Sequence, residues 1–209
     1  MPGRPARPIF DSSSAHRDKV MNLLIQPEAS GNIALLAAGN CNDIDLSTLV
    51  RVYDQVTLVD LDERSLVAAA NRLPVPKPLN LQIRAPVDLG GFTTVRDVRG
   101  REHLGPVDAE VLAKLRAKEI SDVPFDVVAS LCLLTELIVP IAEHIGPQDP
   151  KCLELVQFER CVHLNLLINL LRPGGQAFLI SDLVSTDTAP GLFSTPREQL
   201  TQQMYRLVT

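Results

Sequence analysis

Tryptophan is absent and tyrosine is limited to Tyr53 and Tyr205, so the core of this 209-residue chain must rest on Leu, Val, Ile and Ala. The four cysteines, Cys41, Cys132, Cys152 and Cys161, are far apart and form no C-x-x-C pair. With no signal peptide visible, such thiols read as reduced side chains of a cytoplasmic protein, not as disulfides or zinc ligands. No apolar run approaches the roughly 20 residues that cross a bilayer, so no membrane association is expected. Positive charge is in deficit, with 20 Lys and Arg against 25 Asp and Glu. A broad nucleic-acid footprint needs a basic face, and the net charge of −5 disfavours one.

What is present fits a globular chain: apolar residues make up 45% and charged residues 22%, which is outside the disordered range. The length suits one domain with a full core. Residues 1–13 begin basic and Pro-rich and are expected to form a flexible arm, leaving 14–209 as a single domain.

The organising stretch is residues 32–43, N-I-A-L-L-A-A-G-N-C-N-D. A short apolar run over 33–38 breaks at Gly39 and Asn40, and a helical pattern follows from Asp43. Strand, small-residue turn and helix in that order mark the junction where nucleotide-like cofactors sit in doubly wound α/β proteins. Asp60 follows Gly39 by 21 residues, at the end of a second strand-like run over 56–59. An acid at that separation is placed to accept hydrogen bonds from a ribose.

Along the chain, helices are expected over 14–25, 43–53, 63–73, 108–118 and 153–171, with helix-like spacing again over 196–207. In the long helix, Val156, Val162, Leu166, Leu167 and Leu170 form the expected inner side, and R-P-G-G at 172–175 ends it. Further strands are expected over 79–84, 125–134 (running into a loop or helix) and 176–183. Strands alternating with helices predict a Rossmann-like, mainly parallel sheet of about five strands with helices on both faces.

The turn around Gly39, the L-V-D-L-D run at 58–62, F-D-V-V at 125–128 and L-L-R-P-G-G at 170–175 together resemble the class I S-adenosylmethionine-dependent methyltransferases. The resemblance covers roughly residues 14–184. It implies S-adenosylmethionine as cofactor, with S-adenosylhomocysteine as product, and a small-molecule or protein methyl acceptor. Residue by residue, it implies cofactor contacts from Ala37, Gly39, Asn40, Asp60, Leu61, Asp88 and Ser130; it assigns no catalytic residue and no metal. Asp88 takes the place of the family's adenine-contacting acid, against a simple turn role before Gly90 and Gly91. Asp62 could cap the next helix instead of touching ligand.

The departures are specific. Where the family carries an acid and then G-x-G-x-G, this chain reads Leu35, Ala37, Gly39 and Cys41. Cys41 is expected to put a side chain where backbone would approach the cofactor. Two strands that follow the fifth in the family have no counterpart before Thr209, so the domain is truncated or its sheet is completed differently. No [DNS]-P-P-[YF] tetrad follows the fourth strand. A non-catalytic scaffold that keeps the fold is the alternative. A nicotinamide-dependent oxidoreductase is disfavoured, because Cys41 and Ile44 stand where G-x-G-x-x-G needs glycines.

Overall fold

The computed structural model describes residues 14–26, 29–90, 106–181, 189–196, 198–200 and 202–203. The expected arm and most of the expected 196–207 helix lie outside these, apart from helical residues at 198–200 and 202–203. Five strands, β1 (Asn32–Leu36), β2 (Gln55–Val59), β3 (Leu81–Arg84), β4 (Phe125–Leu131) and β5 (Leu171–Ile180), pair in the order β3-β2-β1-β4-β5. Every pairing is parallel. Helix α1 (Ser14–Leu24) precedes β1, and α2 (Leu46–Val52), α3 (Glu63–Ala70), α4 (Pro106–Ile120), α5 (Leu133–Ile145) and α6 (Pro150–Leu170) lie in the connections between strands. The expected Rossmann-like α/β architecture is therefore the observed one.

The strands carry continuous apolar runs because both sheet faces are covered. Side chains alternate between two core layers. Ile33, Leu35, Val56, Leu58, Val127 and Ala129 pack with Val20 and Leu24 of α1, Leu49 of α2 and Leu66 of α3. Ala34, Leu36, Val59 and Val128 pack on the other face with Ala113 and Ala117 of α4 and Leu166 and Leu170 of α6. Each fully buried Leu or Ile contributes about 1.5–3 kcal/mol.

Several boundaries move for local reasons. β1 ends at Leu36, short of the expected 38, because Ala37 turns left-handed at φ 55°. α2 starts at Leu46, not 43, because Asp45 is its N-cap and accepts from the Thr48 amide at 3.2 Å and its hydroxyl at 2.6 Å. α3 stops at Ala70, and β3 begins at Leu81. The stretch after β4 is the helix α5, which the sequence left open between loop and helix. α6 begins three residues early, with Asp149 accepting from Lys151 N at 2.8 Å and Pro150 in the first turn.

Leu155, Phe158, Val162, Leu166, Leu167 and Leu170 are buried along α6, whereas Val156, expected inside, is only partly buried. The R-P-G-G segment lies within β5, not ahead of it, so the strand expected over 176–183 is observed as Leu171–Ile180. The register slips there, from Phe125 opposite Leu171 to Val127 opposite Gln176. A Cβ on Gly175 would stand 2.9 Å from the Asp126 carbonyl oxygen, so the close approach of the two strands requires the missing side chain.

Candidate functional site

The sheet order reverses at β1, which has β2 on one side and β4 on the other. Open parallel sheets bind ligands at the carboxyl ends of strands at such a point. A cavity of about 200 Å³ lies there, with Ala37, Asp60, Leu61, Asp88, Leu133 and Glu136 in its lining. Ala37 follows β1, Asp60 follows β2, Asp88 follows β3 and Leu133 follows β4, so four strand ends contribute.

The turn after β1 has an unusual backbone. Ala37, Gly39 and Cys41 all have positive φ, at 55°, 47° and 52°. The alternation that glycine makes cheap is thus kept with two side chains in the left-handed region, at roughly 1–2 kcal/mol each. Local bonds hold it: the Ala38 amide donates to the Val59 carbonyl at 3.3 Å and the Cys41 amide to the Ala38 carbonyl at 2.7 Å. From outside, Arg72 donates to the Asn40 carbonyl, and Arg17 donates to the Asn42 carbonyl at 2.9 Å.

Asp60 closes the turn onto β2. Its Oδ2 accepts from the Gly39 amide at 2.8 Å, and its Oδ1 accepts from the Asp62 amide at 2.9 Å. The two residues singled out by their spacing are therefore bonded to each other. Each carboxylate oxygen keeps a lone pair beyond these bonds. A Cβ built on Gly39 meets nothing within 4 Å, so this edge of the turn is open.

Cys41 corrects an expectation. Its side chain is 1% exposed and packs into the layer of α1, α2 and α3, leaving the open edge of the turn clear. Burial, with Asp60 and Asp43 adding to it against Arg72, pushes the thiol up to about 12, so it is an inert core group. Asp62 caps α3, accepting from the Arg64 amide at 3.0 Å and the Ser65 hydroxyl at 2.6 Å.

Asp88 lines the cavity and also makes a local turn, accepting from the Gly90 amide at 2.9 Å. Its other oxygen is 3.8 Å from the Arg116 guanidinium of α4. Leu61, 63% exposed, lies on the cavity rim, and Asn40 participates through its main-chain carbonyl, outside the lining. Ser130 is not brought to the cavity. It is fully buried, and its hydroxyl is 2.8 Å from Nε2 of His163 on α6. Burial pushes that imidazole down to about 4, so it is neutral at pH 7.

Sequence reasoning missed Glu159, 2% exposed on α6, whose Oε1 would lie 3.6 Å from a Cβ on Gly90. The signal was available: 155, 159, 162, 163 and 166 share one helical face, and an acidic side chain in that stripe is a buried one. Among the described residues, no group of His, Cys, Asp and Glu could hold a metal ion, and no helix is long and apolar enough to cross a membrane.

No family model matches the chain, and no curated protein is similar to it in sequence. Among solved structures, the N-methyltransferase NodS from Bradyrhizobium japonicum WM9, in complex with S-adenosyl-L-homocysteine, is 15% identical, with 81% of this chain and 61% of that chain covered and a TM-score of 0.45. The plantazolicin methyltransferase BpumL in complex with the same product is 16% identical, with 94% of this chain and 56% of that chain covered and a TM-score of 0.41. The chain therefore spans less than two thirds of either of these chains.

Proposed function

We propose that the cavity at the strand ends holds S-adenosylmethionine and that the protein transfers its methyl group to a small-molecule or protein acceptor. The observation that carries this reading is the bond from the Gly39 amide to Asp60 beside the cavity. It fixes a carboxylate, with lone pairs left over, at the place where a ribose would present its two hydroxyls. The open edge of Gly39 gives backbone access next to it. Asp88 stands at the end of the neighbouring strand, where it would meet the base, and Leu61 would cover the nucleoside from the rim.

When bound, the cofactor supplies a methyl group activated by its sulfonium. The chain's own residues hold the nucleoside and keep the reacting carbon near the acceptor. Ala37, Leu133 and Glu136 line the cavity beside the acidic pair and would face the acceptor side. No general base is assigned, and an acceptor that needs no deprotonation requires none. A second reading, a non-catalytic domain that keeps the fold, is favoured by Ala37 and Cys41 standing at left-handed positions of the turn where only Gly39 is a glycine.

Isothermal titration with S-adenosylmethionine, S-adenosylhomocysteine and NAD tests the binding claim. Both adenosyl ligands should bind, NAD should not, and Asp60→Ala should lose at least roughly tenfold in affinity for the adenosyl pair, as expected for hydrogen bonds to a charged group. Binding of NAD alone, or of none of the three, would refute it.

A further inference from the structure

The R-P-G-G segment takes no part in the cavity described above, with which it shares no lining residue. It borders a second cleft of about 250 Å³ at the opposite, amino-terminal end of the strands. Leu24, Ala29, Tyr53 and Val127 supply the apolar lining, and Asp126, Arg172 and Gln176 the polar part. The Tyr53 hydroxyl donates to the Leu24 carbonyl at 2.6 Å, and both side chains are buried, so they form the floor of the cleft.

Asp126 sets the geometry of Arg172. Its Oδ1 accepts from Arg172 Nε, while its Oδ2 accepts from the Asn32 amide at 2.7 Å. Burial raises the carboxyl, but these two partners outweigh it and hold it below the usual carboxylate range. Gly31 makes the arrangement possible, since a Cβ there would stand 2.1 Å from Asp126 Oδ2. Among the described residues, Nε is the one guanidinium atom that bonds, so the two Nη groups remain a paired donor edge. Such an edge matches the two oxygens of a carboxylate in a plane. Asp126 cancels the local net charge, so recognition would rest on paired bonds and apolar contact.

We propose that this cleft is a second ligand site, which takes a small carboxylate with a compact apolar body. The carboxylate meets the Nη edge of Arg172, and the body packs between Ala29 and Val127 over the buried floor. The proposal is independent of the nucleoside reading.

Benzoate, benzyl alcohol and benzylamine share a ring and differ in head group, so titrating each into the isotope-labelled full chain and following amide shifts separates the chemistry. Benzoate should saturate, shift Ala29, Tyr53 and Gln176, and bind at least roughly tenfold tighter than the other two. Arg172→Gln should weaken benzoate by a similar factor. Because that variant leaves Asp126 without its partner, Gln176→Phe, which narrows the cleft and keeps the ion pair, should also lose benzoate. Absence of saturable binding, equal affinity for the three probes, shifts centred on Ala37 and Asp60, or undiminished benzoate binding in both variants overturns the proposal.

Discussion

Between α6 and β4, His163 has no solvent contact and bonds to Ser130 at 2.8 Å. Its Nδ1 is buried without a hydrogen-bond partner among the described residues. The tautomer with the proton on Nε2 is the one that buries no orphan N–H. Protonation would add an uncompensated charge, which is why burial lowers its value from 6.5 to about 4. The unfolded chain takes up this proton first as pH falls, so the stabilisation is complete above 6.5 and is lost progressively down to about 4. The whole effect is on the order of 3 kcal/mol. Urea unfolding at pH 7 and pH 5 should show a loss about 2 kcal/mol larger for the native chain than for His163→Gln. Equal losses would show that His163 does not control the acid limb. Sequence spacing places His163 on the inner face of the long helix, but not its partner, because the pairing with Ser130 bridges 33 positions.

At the scale of elements, the two ends of β1 use glycine for different reasons. Gly31 enters the strand at φ 75° with the Asp126 carboxylate against it, and Gly39 leaves the turn at φ 47° facing open space. Gly31→Ala therefore forces a steric clash as well as backbone strain and should destabilise by at least about 3 kcal/mol. Gly39→Ala should cost only about 1–2 kcal/mol of stability, yet weaken S-adenosylhomocysteine binding by intruding on the open edge. Denaturant unfolding of both variants, with titration of the second, checks the contrast; equal destabilisation would contradict it. The strand–turn–helix junction was legible from small residues between apolar runs. Its three left-handed residues were not, because only Gly39 advertises that conformation, and the turn is held by main-chain bonds from Ala38 to Val59 and from Cys41 to Ala38. R-P-G-G was legible as a break after the long helix. Its place inside β5 depends on Asp126, 46 positions from Arg172.

For the whole molecule, alternation of strands and helices foretold the parallel sheet, since parallel neighbours need crossover helices. It also foretold that Asp60 and Gly39 would meet, because consecutive parallel strands lie side by side. Ser130, which the resemblance implied as a cofactor contact, faces α6 instead, because its side of β4 depends on strand register and on which helix covers that face. Ligand binding at the strand ends joins several elements, so it should stabilise the sheet as a unit. At a hundredfold excess over Kd, S-adenosylhomocysteine should add about 2.7 kcal/mol and raise Tm by roughly 5–10 °C. NAD at the same concentration should leave Tm unchanged, and a matching rise with NAD would point to an unselective nucleotide site.

If Asp60, braced by the Gly39 amide, holds ribose hydroxyls, a thermodynamic cycle on those hydroxyls will show it. Affinities of the native chain and Asp60→Asn are measured for S-adenosylhomocysteine and for its 2′,3′-dideoxy analogue. Removing the hydroxyls should weaken binding to the native chain by at least roughly tenfold, about 1.4 kcal/mol, and change binding to the variant by much less. Equal losses in both proteins would contradict it.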